Sequence, residues 1–335
     1  MRRPIGLFVL SLAAGVFAPA ASAGPATAAS VTPPVPRPPV QRFGVRLVDV
    51  PVSEAKNPRA LRYIIDYLPT GTVIHRRILV VNQESHRARF TVYPDAATIG
   101  DDQFIGGPGA TRSALTTWTT VQHPVLTLGP DASAMDLVTI RVPRGAVRGE
   151  HYGVIWVQQE SQARDSAGVN IREIARVGVR VYLAVGRGGA PPTRFAITAI
   201  TSHRTSSGQP YILAGARDTG ARAVDLGGSV RLTQGPGGTS AGPFQAQQSI
   251  TLAPGQSGVM TFKVGNGLPN GPWLATVTLA SGLNKATGAA TVTFAASAAG
   301  QLPLVVIIAA ACVLAVGVLV VTWLMHLTRT RHVPA

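Results

Sequence analysis

Ser53-Glu54-Ala55-Lys56 has the S-x-x-K spacing by which a transpeptidase or β-lactamase sets a lysine one helical turn beyond a nucleophilic serine. That chemistry needs a helix, and Pro51 and Pro58 bracket this segment. Neither an S-D-N nor a K-T-G element occurs in the chain. A Ser-His-Asp triad would have to gather a histidine to a presented serine, yet His75, His86, His123, His151 and His203 are dispersed. Asp95, Asp101 and Asp102 offer oxygen ligands, but their spacing misses the D-x-[DN]-x-[DN]-G calcium loop. The single cysteine, Cys312, lies in an uncharged stretch, which excludes a disulfide framework and a cysteine-based zinc site. The expectation is a protein without catalysis, cofactor or metal.

Binding chemistry is better represented. Trp118 stands among Thr116, Thr117, Thr119 and Thr120, an aromatic face with hydroxyl neighbours of the kind that meets sugar rings or protein partners. It falls in the segment Pro94 to Gln122, which also holds Phe104 and begins just after Tyr93. Trp118, Phe104 and Tyr93 are therefore the candidate binding residues. A loop of this length on a compact domain is often functional, and it either displays Trp118 or folds back to bury it.

The elements that must position these residues are strands. Phe43, Val45 and Leu47 alternate, as do Leu61, Tyr63 and Ile65, and Val73 to Val81 forms a longer run. Further strands are expected at Ala88 to Tyr93, Val125 to Leu128, Asp136 to Val142, Gly153 to Gln159 and Ile174 to Val185. Gly186 to Pro192 interrupts the pattern as a hinge. Beyond it, alternation resumes at Phe195 to Thr201, Tyr211 to Arg217, Ser229 to Gln234, Ser249 to Leu252, Val259 to Val264, Trp273 to Ala280 and Ala290 to Ala295. The expected class is all-β: two Ig-like antiparallel β-sandwiches in tandem, followed by a single C-terminal transmembrane helix.

The chain ends point to export. Arg2 and Arg3, an apolar run and Ala21-Ser22-Ala23 form a signal peptide over 1–23. Residues 24–41 hold six prolines and form a linker. The first sandwich then covers 42–187, a hinge 188–193 and the second sandwich 194–297. A juxtamembrane stretch, 298–303, precedes Leu304 to Met325, which is uncharged over 22 residues, long enough to span a bilayer as a helix. Residues 326–335 form a basic tail, whose charge orients it to the cytoplasm. The expected location is the plasma membrane, single-pass, with the N-terminal part outside. Without the four arginines of the two ends, 26 basic residues face 15 acidic ones, a net charge of +11 by count. So basic a surface favours anionic polymers, but export and the lack of aromatic-plus-basic clusters exclude nucleic acid.

Residue detail adds a resemblance. The order of signal peptide, Tyr63-Ile64-Ile65-Asp66-Tyr67-Leu68-Pro69-Thr70-Gly71, Val80-Val81-Asn82, Phe90-Thr91-Val92-Tyr93-Pro94, a long loop, Pro143-Arg144-Gly145, Tyr152-Gly153-Val154-Ile155, second sandwich, span and basic tail resembles the WxL-interacting proteins of Gram-positive bacteria. The resemblance implies a peptidoglycan-binding first domain and a second domain for partner proteins, both non-catalytic. It carries over no ligand-contacting residue. The expected function is a membrane-anchored cell-surface protein that engages cell-wall polymer or a WxL-type surface protein. The alternative is a chaperone-like assembly factor that lends a sheet edge to a secreted partner by strand addition.

Overall fold

The structure is a computed structural model that describes residues 42–164 and 168–295. The signal peptide, the Pro-rich linker and the expected span Leu304 to Met325 lie outside the described residues. Among the described residues no helix is long and apolar enough to cross a membrane.

In chain order the first half gives β1 (Phe43–Leu47), β2 (Ile64–Leu68), β3 (Val73–Asn82), β4 (Ala88–Gly100), β5 (Gln103–Gly106), α1 (Ala114–Trp118), β6 (Thr119–Val121), β7 (Val125–Leu128), β8 (Ser133–Arg141), β9 (Gly149–Arg164) and β10 (Asn170–Val185). One sheet runs in the order β1-β3-β8-β6, the other β2-β10-β9-β4-β5, with β7 also paired to β4. The facing sides bury alternate residues: Phe90 and Val92 on β4, Ile78 and Val80 on β3, Val138 and Ile140 on β8, and Val179, Val181 and Leu183 on β10. Alternation is what lets each strand bury one side and wet the other, and a fully buried Phe90 contributes roughly 1.5–3 kcal/mol.

The second half gives β11 (Phe195–Arg204), β12 (Pro210–Asp218), β13 (Val224–Thr233), β14 (Ala241–Gln245), β15 (Ile250–Leu252), β16 (Ser257–Lys263), β17 (Trp273–Ser281) and β18 (Asn284–Val292). Its sheets run β11-β12-β16 and β14-β13-β17-β18, with β15 on β13. Trp273, Ala275, Val277 and Leu279 line one side of β17 and meet Ile212, Ala214 and Phe262 in a second core. The chain is therefore all-β with two sandwiches, each with a core of its own.

Two expectations change. The first sandwich is not purely antiparallel, because β10 pairs β2 in parallel from Val181↔Ile64 to Val185↔Leu68. The chain crosses from one sheet to the other between β1 and β2, so the last strand returns beside β2 running the same way. The expected loop Pro94 to Gln122 is also largely structured. β4 continues to Gly100, turns at Asp101 and Asp102 with φ of 50° and 60°, and returns as β5, followed by α1 and β6. Ser113 caps α1 by accepting from the Thr116 backbone, with the Thr116 hydroxyl accepting in return from the Ser113 backbone.

Candidate functional site

The longest elements are β9 and β10, sixteen residues each, paired without interruption from Gly149↔Val185 to Arg164↔Asn170. On its far side β10 meets β2 only over Val181–Val185. Among the described residues no strand pairs with Ile171–Arg180 on that side. This is an open sheet edge of roughly 33 Å, at about 3.3 Å per residue, and its outward backbone N–H and C=O groups can template another strand. The side of β10 that carries Val179 and Val181 in the core continues outward through Val177, Ala175, Glu173 and Ile171. Ile171 is 44% exposed, whereas Ala175 and Val177 pack partly against the core.

On the opposite side of the sheet, Gly178 leaves the space that Trp156 fills. A Cβ at Gly178 would lie 2.6 Å from the indole Cε3. The indole Nε1 donates to Asp95 at 3.2 Å, and the Arg176 guanidinium stacks over the ring at 5.5 Å.

The open edge ends at a cavity of about 240 Å³ lined by Arg59, Arg62, Tyr63, Arg180, Asp225 and Thr251 among others. Asp225 of β13 organises it. The carboxylate accepts from Arg59 Nε at 2.7 Å, Arg180 Nη1 at 3.1 Å, the Tyr182 hydroxyl at 2.9 Å and the Thr251 hydroxyl at 2.8 Å. Arg180 also lies over Tyr63 at 5.2 Å and over Phe104 at 4.8 Å. Arg62 is exposed and has no side-chain partner among the described residues. With Arg59, Arg62 and Arg180 facing one carboxylate, the cavity carries excess positive charge.

The same junction holds further buried acids. Glu150 accepts from the Ala223 backbone at 2.6 Å and from the Tyr152 hydroxyl at 2.8 Å, and burial pushes its carboxyl above the usual range. Asp218 is fully buried, accepts from the Gly220 backbone at 2.8 Å and leaves Oδ2 without a partner. Burial, with Glu150 nearby adding to it, raises Asp218 to about 6. Burial likewise lowers Arg222 below the usual guanidinium range. The β4–β5 turn braces the junction, with the Asp102 carbonyl accepting from the Thr251 backbone at 2.7 Å.

The candidate residues from the sequence are not brought together. Phe104 packs 5.2 Å from Tyr182 and beneath Arg180, itself a lining residue of the cavity. Tyr93 lies further along β4 and donates to Gln158 at 2.7 Å. Trp118 packs on the first core and edge-on to His151 at 4.9 Å. Asp95, Asp101 and Asp102 diverge, since Asp95 accepts from the Ala96 and Thr111 backbones and from Trp156. Ser53 falls in a single 3-10 turn, Val52–Glu54, too short to build the S-x-x-K geometry. His123 does meet a buried carboxylate, Asp136, at 3.1 Å, but among the described residues no serine is bonded to it. Gly238-Thr239-Ser240-Ala241-Gly242 does have the G-x-S-x-G pattern. Ser240 is exposed between a 3-10 turn and β14, where a nucleophile elbow would need a strand followed by a helix.

Sequence reasoning missed the edge and the arginine cavity. Alternation on β10 was visible, but which strand lies beside it is not a local property.

These features define a two-sandwich protein with one long open strand edge that ends at a cationic cavity. No protein-family model and no curated protein matches the chain. The chain is similar to a solved structure of the Salmonella enterica SafA pilin in complex with the SafB chaperone, at 10% identity over 75% of this chain and 98% of that one, with a TM-score of 0.41. It is similar also to the Pseudomonas aeruginosa CupB2 chaperone, at 10% identity, 69% and 97% coverage and a TM-score of 0.37. A third is the periplasmic chaperone SfaE, at 10% identity, 75% and 100% coverage and a TM-score of 0.34. Likenesses of this size assign no family.

The expectation drawn from WxL-interacting proteins is not supported, since no protein-family model matches the chain. The peptidoglycan or cell-wall partner and the WxL-type surface partner are withdrawn with that resemblance. The single-pass plasma-membrane placement is likewise not supported: no described residue belongs to a helix long and apolar enough to cross a membrane, and Leu304 to Met325 lie outside the described residues.

Proposed function

We propose that the protein is a non-catalytic, chaperone-like assembly factor that binds a partner polypeptide by strand addition along Ile171–Arg180 of β10. The observation that supports this most directly is the mismatch between neighbours: β10 is sixteen residues long, while β2 covers only its last five. Stable proteins cover or interrupt long apolar edges, because an open ladder recruits further strands. Here Ile171, Ala175 and Val177 keep the core-facing alternation going along the edge, with Ala175 and Val177 only partly covered by the core and Ile171 exposed. A partner strand seated there gains backbone hydrogen bonds from the edge and side-chain burial from that alternation.

Arg62 and Arg180 stand where such a strand would end, so a terminal carboxylate or an acidic side chain of the partner has cations to meet. The junction then acts as a stop that fixes how far along β10 the partner slides. The two sandwiches belong to this reading as Ig-like modules that hold the edge and the cavity in register.

The experiment is site-specific photo-crosslinking from position 171 in the native cell, followed by co-purification with Ile171→Asp. One defined secreted polypeptide is expected to crosslink, and the substitution is expected to abolish its co-purification while the chain stays folded. An unchanged complex in Ile171→Asp would remove the reading.

A further inference from the structure

Resting on that reading, one residue of the open edge limits which strand can bind. Along the core-facing side of β10 the sequence outward is Val179, Val177, Ala175, Glu173 and Ile171. A single carboxylate interrupts an otherwise apolar row. Glu173 lies directly opposite Ser161 of β9 and is half-buried. It makes no ion pair and no side-chain hydrogen bond among the described residues. The contrast with the other side of the same hairpin is direct. There Glu160 accepts from Arg172 Nη2 at 2.5 Å and from Nε at 3.0 Å. Arg172 and Arg176 alternate onto that opposite side, so neither can reach round to Glu173.

In the free protein water solvates Glu173. Once a strand pairs with the edge, its own core-facing side chains lie over Ile171, Glu173 and Ala175, and the carboxylate loses that water. An ionised carboxylate desolvated without a partner is strongly unfavourable, whereas a cation placed opposite recovers the loss. We infer that Glu173 selects the partner: the strand accepted at this edge carries a lysine or arginine on its core-facing side at the level of Glu173. The same carboxylate disfavours a second copy of this chain, because antiparallel self-pairing centred on this residue sets two Glu173 side chains against each other. An inward-pointing charge of this kind leaves an edge open to one class of strand while closing it to apolar ones.

The test uses the full chain and three fluorescent strand peptides of alternating valine and threonine, identical except for a central core-facing lysine, leucine or glutamate. Fluorescence anisotropy gives each Kd, and hydrogen exchange of the same mixtures reports whether Ile171–Arg180 becomes protected. The lysine peptide is expected to bind about tenfold or more tighter than the leucine peptide, with glutamate weakest. Glu173→Gln should bring the lysine and leucine peptides within about twofold of each other, and Glu173→Val should prefer leucine. A lysine-to-leucine ratio that Glu173→Gln leaves unchanged, or a wild type that binds leucine best, overturns the inference while protection of Ile171–Arg180 keeps strand addition. Peptides that bind without protecting this segment, or do not bind at all, overturn both.

Discussion

Arg180 Nη1 donates to Asp225 Oδ1 across 3.1 Å, joining the end of the open β10 edge in the first sandwich to β13 of the second. The same carboxylate holds Arg59 at 2.7 Å, and residues 194–295 contain only one other acid, Asp218. Both carboxylates of the second sandwich are therefore spent at the junction, and its exposed charge is wholly basic.

Removing that carboxylate should be costly. In Asp225→Ala, Arg59 and Arg180 lose their partner and the Tyr182 and Thr251 hydroxyls lose their acceptor. Breaking a buried pair from one side costs about 3–5 kcal/mol, and urea unfolding of the variant measures it. Asp225→Asn keeps an acceptor for the hydroxyls and should lose less.

Acidification should favour the native junction. Asp218 titrates at about 6 in the folded protein, against 3.8 for a free side chain, so the folded state binds the proton more tightly. Its contribution is fully present below about 3.8 and is lost as pH rises through about 6. Glu150, also raised by burial, acts in the same direction. Stability measured by denaturant should therefore gain from this site between about pH 7 and 5, and Asp218→Asn should remove that increment. An increment of the same size in both proteins would contradict the assignment.

The space at Gly178 is set by Trp156. Gly178→Ala would place a Cβ 2.5 Å from Val154 Cγ2 and 2.6 Å from the indole. Overpacking of this kind costs about 1–3 kcal/mol, and thermal unfolding with tryptophan emission as the probe reports both the loss and the displaced ring.

Hydrogen exchange should divide β10 at Arg180. Val181–Val185 is flanked by both β9 and β2, so its amides should be protected throughout. In Ile171–Arg180 only the amides directed at β9 have a strand to bond, so fast and slow exchange should alternate along the segment. Uniform protection there would mean that the edge is closed.

Trp118 offers a test between packing and display. It rests on the first core and against His151, so Trp118→Ala should destabilise the fold by about 2 kcal/mol or more in thermal unfolding. A displayed ring would leave stability unchanged.

Much of the strand framework was legible residue by residue. Val125 to Leu128 was read to its ends, and the strands at Phe43, Val73 and Trp273 announce themselves through alternation that burial then follows. The stretch after Tyr93 was not legible. Asp95, Asp101 and Asp102 read as a polar loop, although Asp95 is buried by the backbone and indole groups that bond it and the other two form the turn between β4 and β5.

Taken alone, the sequence determined the all-β class and the position of most strands, because apolar alternation is a local property written in neighbouring residues. Tertiary structure decided which of β10's two sides lacks a neighbour and which charges share Asp225. Arg59, Arg180 and Asp225 lie far apart in the chain, and no local pattern records that they meet. Sheet edges and buried charge clusters arise from long-range pairing, so they exist only once the strands have been ordered.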